Sequence, residues 1–255
     1  MASTLSPDGT GGNAMDQPLF YQDAYVRTFE ARVVARADDG LVLEPTAFYP
    51  GGGGQPCDTG AIRWTDGEIP VHSIERRESR IVHVTGPAPP TLPGTVTGVL
   101  DWPRRHALMR THTALHILCG VIWQKHGALS TGCGMHPGSA HIDFELEGVT
   151  PEMLADLEQA ANREVAQARE VETYTLDRAE AESIPALIKT KVNLLPKALT
   201  RVRVVDIVGL DAQADGGTHV ANTREVGRIR IVKYKSKGRQ NKRLYVELTP
   251  GAEAA

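Results

Sequence analysis

Hydrophobic and polar positions alternate over short runs in the first hundred residues, and Gly, Pro and Asp separate the runs. Residues 32–35 and 41–43 are two such runs, and Asp38-Asp39-Gly40 between them is typical of a hairpin turn. Further strands are predicted at residues 61–64, 71–74, 80–84 and 95–100. Short strands at this spacing predict a small closed β-barrel.

The hydrophobic pattern changes from strand to helix spacing at Asp101, which suits an N-cap, with Pro103 in the first turn. The helix is predicted to run to about His126 on apolar residues at helical spacing, namely Leu108, Leu115, Leu118 and Ile122. A second helix should open at Thr150, and strands return at residues 202–208, 228–232 and 244–248. The sequence therefore predicts an α+β protein, with a flexible tail at 1–16, a β-barrel domain at 17–100 and an α/β domain at 101–255.

Composition narrows the class of protein. Hydrophobic residues make up 41% of the chain and charged residues 23%, as in globular proteins. The net charge is -3, so a nucleic-acid partner would need a local basic patch. Three cysteines are too few for a disulfide framework, which favours the reducing cytoplasm. No apolar run approaches the ~20 residues that cross a bilayer, and the N-terminus lacks the pattern of a signal peptide, so no membrane association is expected.

Two pairs of residues have the spacing of metal ligands. His112 and His116 are four apart on the first predicted helix, so both imidazoles can reach one cation, although they could simply lie on a half-buried helix face. Asp215 and His219 are also four apart and flank a Gly-Gly pair, which by itself could also be a tight turn with an incidental histidine. Because two such pairs occur in one domain, we expect a zinc site with nitrogen and oxygen ligands.

A glycine-rich segment, TAFYPGGGGQP at residues 46–56, lies in the predicted barrel. Four consecutive glycines followed by Gln55 form a loop whose backbone amides can face a substrate. The segment lacks the Lys-Ser/Thr of a Walker loop and the spacing of a dinucleotide-binding loop. A flexible linker is the simpler alternative, but linkers seldom carry a flanking threonine, aromatic residues and glutamine.

Three segments in this order, TAFYPGGGGQP, HTALH and GGTHVANTREVG, resemble the freestanding alanyl-tRNA editing proteins and the editing domain of alanyl-tRNA synthetase. The resemblance covers about residues 20–250 and is strongest to the medium-length members. It implies a small β-barrel joined to a two-layer α/β editing domain of the threonyl/alanyl-tRNA synthetase type. It also implies a zinc ion and hydrolysis of serine or glycine wrongly attached to the alanine tRNA.

The resemblance also assigns roles to residues. It implies that Thr46 hydrogen-bonds the seryl hydroxyl and that substrate is positioned by Gln55 and by a substrate-binding set, Gly52, Gly53, Gly54 and Thr218. The family carries Cys-Gly-Gly-Thr-His where this chain has Asp215 in place of the cysteine ligand. Either Asp215 completes a ligand set with His112, His116 and His219, or it turns away and leaves three histidines and water.

Basic residues are concentrated between residues 224 and 243, against the single acid Glu225. Candidate tRNA contacts there are Lys233, Lys235, Lys237 and Arg239, and the start of the first helix could extend the patch through Arg104 and Arg105. The alternating lysines would point to one side of a strand, although such lysines also protect the solvated edge of a hairpin.

The sequence as a whole predicts a zinc-dependent aminoacyl-tRNA deacylase with tRNA as its partner. Two alternatives come from other classes of protein. One is a non-catalytic tRNA-binding module whose zinc is structural, and the other is a zinc esterase that acts on a small molecule.

Overall fold

The computed structural model describes residues 18–87, 91, 93–187, 199–238 and 241–249. The predicted tail at 1–16 and Arg239 lie outside these residues. The N-terminal elements are, in order, α1 (Leu19–Gln22), β1 (Thr28–Ala37), β2 (Gly40–Glu44), β3 (Gly60–Trp64), β4 (Gly67–Val71), β5 (Ser73–Arg77), β6 (Arg80–Val84) and β7 (Thr95–Leu100).

The N-terminal strands form one antiparallel sheet in the order β4-β3-β7-β1-β2-β6-β5. β4 and β5 therefore occupy opposite edges, yet only His72 separates them along the chain. The sheet must curl for its edges to meet there, around a core that includes Phe29, Phe48 and Ile62. Among the described strand pairs, none joins β4 to β5, so the curled sheet is established and the closed barrel stays a prediction.

The predicted β1–β2 hairpin is confirmed, and so are the strands expected near residues 61–64, 80–84 and 95–100. The single strand predicted at 71–74 is wrong. Val71 ends β4 and Ser73 begins β5, while the backbone N–H of His72 between them donates to the carbonyl of Val84 at 2.9 Å. Hydrophobic residues on both sides of His72 hid this break, because each belongs to a different strand.

The long helix α2 (Trp102–His126) confirms the prediction of a helix from Asp101 to His126. The carboxylate of Asp101 accepts a hydrogen bond from the backbone N–H of Arg104 at 3.1 Å, which caps the helix. At the other end Gly127 adopts φ 61°, a left-handed conformation that glycine takes without strain. Residues 111–122 are buried on every side, so polar side chains in this stretch must find partners inside the protein.

The C-terminal elements that follow α2 are β8 (Ser130–His136), β9 (Ser139–Glu145), α3 (Pro151–Ala166), β10 (Val171–Asp177), α4 (Arg178–Glu182), β11 (Arg201–Ile207), β12 (Asp211–Ala214), β13 (Arg228–Ser236) and β14 (Asn241–Thr249). A second antiparallel sheet has the order β13-β14-β9-β8, and a third has the order β10-β11-β12. The helix predicted to open at Thr150 is α3, capped by the Thr150 hydroxyl.

Helices α2 and α3 pack against one face of the β13-β14-β9-β8 sheet. The core between them includes Leu118 from α2, Leu157 from α3, and Ile142 and Leu244 from the sheet. The protein is therefore a mixed α/β fold in which helices cover one face of an antiparallel sheet, beside a curled antiparallel sheet. The turn after β12 and the loop after β2 both approach the buried middle of α2, and these three segments build the site.

Candidate metal centre

Four predicted ligands converge in the structure: His112, His116, Asp215 and His219. Each offers one ligand atom, and all four atoms lie within 4.8 Å of one another. The two α2 histidines are one helical turn apart, and the turn after β12 brings the other two residues against them. The imidazole rings of His112 and His219 stack with centroids 4.2 Å apart. Residues about 100 positions apart thus form one buried cluster that could hold a metal ion.

Two histidines direct their Nε2 atoms to the carboxylate of Asp215. Nε2 of His219 lies 3.1 Å from Oδ2 of Asp215, and Nε2 of His112 lies 3.6 Å from Oδ1. The centre of the cluster is therefore lined by nitrogen and carboxylate oxygen atoms, a donor set that suits zinc.

The opposite ring nitrogen of each histidine faces a partner outside the cluster. Nδ1 of His112 lies 3.0 Å from Oε1 of Gln55, and Nδ1 of His219 lies 3.1 Å from Oγ1 of Thr113. Nδ1 of His116 lies 3.8 Å from a carboxylate oxygen of Asp211, too far for a hydrogen bond. Outer partners of this kind orient histidine ligands and fix which nitrogen is free for the metal.

The contacts of Gln55 determine the tautomer of His112. The backbone N–H of Thr218 donates to Oε1 of Gln55 at 3.0 Å, and Nε2 of Gln55 donates to the Thr218 hydroxyl at 2.8 Å. The amide oxygen therefore faces His112 and can only accept, so Nδ1 of His112 carries the proton. In the neutral ring, Nε2 then has its lone pair directed into the cluster.

Burial keeps the histidines neutral. Burial lowers the pKa of His112 to about 4. Burial also lowers the pKa of His219 well below its usual value, and the neighbouring His112 adds to this effect. Burial raises the pKa of Asp215, but attraction to His112 and the hydrogen bond with His219 outweigh this and hold it well below its usual range. At neutral pH the site thus presents a carboxylate among neutral imidazole rings, which attracts a cation.

The turn that carries His219 requires glycine at Gly217. A Cβ added there would lie 2.2 Å from Cε1 and 2.3 Å from Nδ1 of His112. The turn is also held from outside by Arg203 in β11, whose Nη1 donates to the carbonyls of Asp215 and Gly217 at 3.1 and 2.9 Å. Sequence reasoning missed Arg203, because a single arginine in a strand carries no signal before its neighbours across the fold are known.

The glycine-rich loop lies beside the cluster. Gly51, Gly52, Gly53 and Gly54 all have positive φ values, between 59° and 136°, which other residues rarely adopt. A Cβ on Gly53 would lie 3.7 Å from Oδ1 of Asp215. The loop closes on itself through two hydrogen bonds of 3.0 Å between the backbones of Gly52 and Gln55. These glycines let the backbone approach the candidate metal ligands closely.

The residues predicted to touch substrate divide into two groups. Gln55 and Thr218 are buried and bonded to each other, so they connect the glycine-rich loop to the turn after β12. The hydroxyl of Thr46 lies 2.8 Å from Nε2 of His83 and accepts from the backbone N–H of Phe48 at 3.2 Å. Among the described residues no hydrogen bond joins Thr46 to the metal cluster.

The residues predicted to contact tRNA differ in their exposure to solvent. Arg105 is fully buried, and its guanidinium donates to Asp58 and to the carbonyls of Ala24 and Ala47. Its side chain therefore cannot reach a phosphate at the surface, and our prediction that Arg105 contacts tRNA is wrong. Arg104 is half-buried and donates to the carbonyl of Cys57.

The predicted lysines lie on β13 and just after it. Lys233 and Lys235 are exposed on β13, an edge strand. Lys237 follows the strand and pairs with Asp143 at 3.0 Å. These three side chains therefore lie near the surface, as a phosphate contact would require.

Two family models match the chain. The model described as the second additional domain of threonyl and alanyl tRNA synthetases matches residues 202–245, and that of the class II (A) tRNA synthetases matches residues 19–104. The first range contains Asp215 and His219, and the second contains the glycine-rich loop. Within the residues that the structure describes, no helix combines the length and apolar character needed to span a membrane.

Similar proteins match nearly the whole chain. The alanyl-tRNA editing protein AlaX-M of Saccharolobus solfataricus is 39% identical over 92% of this chain and 100% of its own length. The AlaX-M protein of Methanosarcina acetivorans is 37% identical over 92% of this chain and 99% of its own length. The alanine–tRNA ligase of Pyrobaculum neutrophilum is 37% identical over 87% of this chain, a match that covers 26% of the ligase.

Proposed function

Because the chain belongs to the AlaX-M family of alanyl-tRNA editing proteins, we propose that it is an aminoacyl-tRNA deacylase. Its substrates would be serine or glycine wrongly attached to the alanine tRNA, and the bond hydrolysed would be the ester to the terminal adenosine. We place this reaction in the cytoplasm. The observation that carries the proposal is the cluster of three histidines and one aspartate beside a glycine-rich loop.

We propose that the metal is zinc, held by His112, His116, Asp215 and His219. The donor set fits, since these residues offer imidazole nitrogens and a carboxylate oxygen within 4.8 Å of one another. A zinc ion at this site would polarise an ester carbonyl or lower the pKa of water. The chain's own contribution is to fix the ligands: Gln55 and Thr113 hold the Nδ1 atoms of His112 and His219, so that both Nε2 atoms face inward.

Thr46 is proposed to select the seryl substrate. Nδ1 of His83 lies 3.0 Å from the carbonyl of Leu41, which can only accept, so this nitrogen carries the proton. Burial lowers the pKa of His83 to about 4, so its Nε2 is unprotonated and accepts the Thr46 hydroxyl hydrogen. The remaining lone pair of the Thr46 oxygen is then suited to accept a hydrogen bond from a seryl hydroxyl, which alanine lacks.

The glycine-rich loop is proposed to position the substrate through the backbone amides of Gly52, Gly53 and Gly54. Gln55 and Thr218 would act by holding this loop against the turn that carries two metal ligands. The same contact places the loop backbone beside the carboxylate of Asp215. We further propose that residues 17–100 form a barrel domain that supplies this loop and residues 101–255 an editing domain that supplies the metal ligands.

The deciding experiment measures deacylation of seryl-, glycyl- and alanyl-tRNA(Ala) by the purified protein. We expect hydrolysis of one or both mischarged species and little of the correct one. Removal of metal should abolish the activity, and readdition of zinc should restore it. His112→Ala and His116→Ala should lose both bound zinc and activity, with His126→Ala on the exposed end of α2 as the matched control.

Each contrary result identifies another function. Binding of tRNA without hydrolysis, by a protein that retains zinc, would identify a tRNA-binding module with a structural metal. Hydrolysis of small esters at a rate that does not depend on salt or on tRNA would identify an esterase. Full deacylation after complete metal removal would refute the role of the metal.

A further inference from the structure

One face of the β13-β14-β9-β8 sheet is turned away from the helices. Leu244 and Val246 of β14 and Ile142 of β9 are buried in the core beneath α2 and α3. Side chains alternate along a strand, so the residues between them point to the other side. This outer face, as we call it, carries four half-exposed or salt-bridged side chains at its centre: His141, Asp143, Arg243 and Tyr245.

A transverse row crosses the outer face from one edge of the sheet to the other. The strand register places Lys233 opposite Tyr245, Tyr245 opposite His141, and His141 opposite Gly134. Nζ of Lys233 lies 5.7 Å from the centre of the Tyr245 ring, and the rings of Tyr245 and His141 are 6.3 Å apart. An aromatic ring flanked by a cation is the arrangement on which unpaired bases stack.

The charges on the outer face favour an anionic partner. Lys235 lies opposite Arg243 in the strand register, two residues along from the Lys233–Tyr245 pair. Asp143 is the central acid, and it is bound by both Arg243, at 2.7 Å, and Lys237, at 3.0 Å. Two cations therefore bind this carboxylate, and Glu145 and Glu247 on the same face are outnumbered by the cations of β13, namely Arg228, Arg230, Lys233 and Lys235, which leaves a positive excess.

The far end of the row adjoins the metal centre. At Gly134 a Cβ would lie 2.7 Å from Cε1 of His141, so His141 can lie flat against the β8 backbone. The neighbouring residues of β8 contact the glycine-rich loop: Met135 N–H donates to the carbonyl of Gly54 at 3.3 Å, and Sγ of Cys133 lies 3.6 Å from the carbonyl of Gly53. Three strand spacings, about 14 Å, separate the lysine edge from β8, which this loop contacts.

We propose that the outer face binds the unpaired 3′ end of the substrate RNA, with a base stacked on Tyr245 and its phosphates beside Lys233 and Lys235. The strand would cross β9 and β8 over His141 and Gly134 and deliver the terminal nucleotide to the glycine-rich loop. This inference rests on the proposed function, because it assumes that the substrate is an RNA with a free 3′ end.

The test measures binding, not hydrolysis. The probe is a fluorescently labelled single-stranded oligoribonucleotide that ends in C-C-A, titrated with the zinc-loaded full chain. Tyr245→Leu should weaken binding by about 5- to 150-fold, as expected for the loss of one stacked base. Tyr245→Phe keeps the ring and should bind like the wild type. Tyr174→Leu, an exposed tyrosine on β10, is the matched control and should have no effect.

The salt dependence of oligonucleotide binding distinguishes the contribution of stacking from that of charge. Lys233→Gln should reduce the slope of log affinity against log salt by about 0.7, the value for one phosphate contact to a single strand. Tyr245→Leu should leave this slope unchanged. Equal thermal stability and zinc content of the variants confirm that they are folded.

The outcomes distinguish this inference from the proposed function. If the wild type deacylates mischarged tRNA but Tyr245→Leu binds the oligonucleotide as tightly as Tyr174→Leu, the stacking surface is refuted and the function stands. The surface is also refuted if Tyr245→Phe binds as weakly as Tyr245→Leu. If binding depends on the Tyr245 ring but no deacylation occurs, the surface stands and the proposed reaction fails.

Discussion

The side-chain oxygen of Gln55 lies 3.0 Å from Nδ1 of His112 and 3.0 Å from the backbone nitrogen of Thr218. A single amide thus joins three segments, since Gln55 ends the glycine-rich loop, His112 belongs to α2 and Thr218 belongs to the turn after β12. The loop proposed to hold the substrate and a ligand proposed to hold the metal are therefore coupled. A displacement of the loop would change the orientation of the His112 ring.

Replacement of Gln55 by leucine should weaken metal binding. The change removes the acceptor for Nδ1 of His112 and leaves the buried Thr218 N–H without its partner. Loss of such an outer partner typically lowers metal affinity by about 10- to 100-fold, which competition with a chelator of known affinity measures. Gln159→Leu on the exposed side of α3 is the control. If Gln55→Leu reduced deacylation but left zinc affinity unchanged, Gln55 would act on the substrate alone.

Gly217→Ala should damage the metal centre and leave most of the fold intact. The new methyl group would lie 2.2 Å from Cε1 of His112, a distance that real atoms do not tolerate, so either the ring or the turn must move. We expect lower zinc content and lower deacylation at nearly unchanged secondary structure. Gly94→Ala is the matched control, because nothing lies within 4 Å of a Cβ at that position. Normal zinc content in Gly217→Ala would mean that this turn can shift without cost.

The sequence predicted the parts of the site that depend on local spacing. Helical periodicity predicted the pair His112 and His116, and the Gly-Gly turn predicted Asp215 and His219. The outer partners, such as Thr113 and Arg203, could not be predicted, since their roles depend on which strands and helices meet in the fold. Arg105 shows the same limit, because its charge suggested the surface while its actual partner, Asp58, comes from another segment.

For the fold, too, some elements were predicted from the sequence and others were not. The predicted helices and most N-terminal strands were confirmed because their hydrophobic periodicity is regular. Strands β8 and β9 were missed, since β8 contains Gly132 and Gly134, which are uncommon in strands. Gly134 packs under His141, whereas nothing lies within 4 Å of a Cβ at Gly132. These surroundings depend on the neighbouring strands, so the sequence of β8 alone does not reveal them.

Thr46→Val should impair hydrolysis of seryl-tRNA more than that of glycyl-tRNA. Valine removes the oxygen proposed to accept the seryl hydroxyl and also leaves Nε2 of His83 without its partner. The selective loss should be on the order of 1–3 kcal/mol in the ratio of kcat/KM values for the two substrates, as for an unmade buried hydrogen bond. Thr46→Ser keeps the hydroxyl and is the control. Equal losses on both substrates would assign Thr46 a structural role.

Acid should destabilise the protein through His83. Burial lowers its pKa to about 4, whereas the unfolded chain takes up the proton near pH 6.5. Between these values the unfolded state binds more protons than the folded state, so the free energy of unfolding falls as the pH is lowered from about 6.5 to about 4. The full contribution is about 3 kcal/mol, since each unit of pKa is worth about 1.4 kcal/mol.

Denaturant unfolding of the metal-free protein at pH 7 and pH 4 measures this effect. His83→Gln should lose less stability between the two pH values than the wild type, by up to about 3 kcal/mol. His126→Gln, at the exposed end of α2, should behave like the wild type. An identical pH dependence in His83→Gln and the wild type would show that His83 takes up its proton equally in both states.

The last prediction concerns Asp215, which stands four residues before His219 at the start of the Gly-Gly turn. Its Oδ2 accepts from the backbone N–H of Gly217 at 2.6 Å and lies 3.1 Å from Nε2 of His219, while Oδ1 lies 3.6 Å from Nε2 of His112. The carboxylate is therefore held between two histidine ligands by its own turn. We expect it to bind zinc directly through oxygen at about 2.0–2.2 Å, shorter than the ~2.3 Å of sulfur.

Asp215→Cys should consequently retain the metal, because the side chain keeps a negative ligand atom in the same turn. Asp215→Ala should lower zinc affinity, since the site then loses its only carboxylate among the four clustered ligands and must accept water in its place. Chelator competition on both variants measures the difference. Metal affinity that is equal in Asp215→Ala and the wild type, together with carboxylate oxygens beyond ~3 Å in a zinc-loaded crystal structure, would refute direct coordination. Three histidines would then bind the metal, and Asp215, still hydrogen-bonded to Gly217, would orient the water beside it.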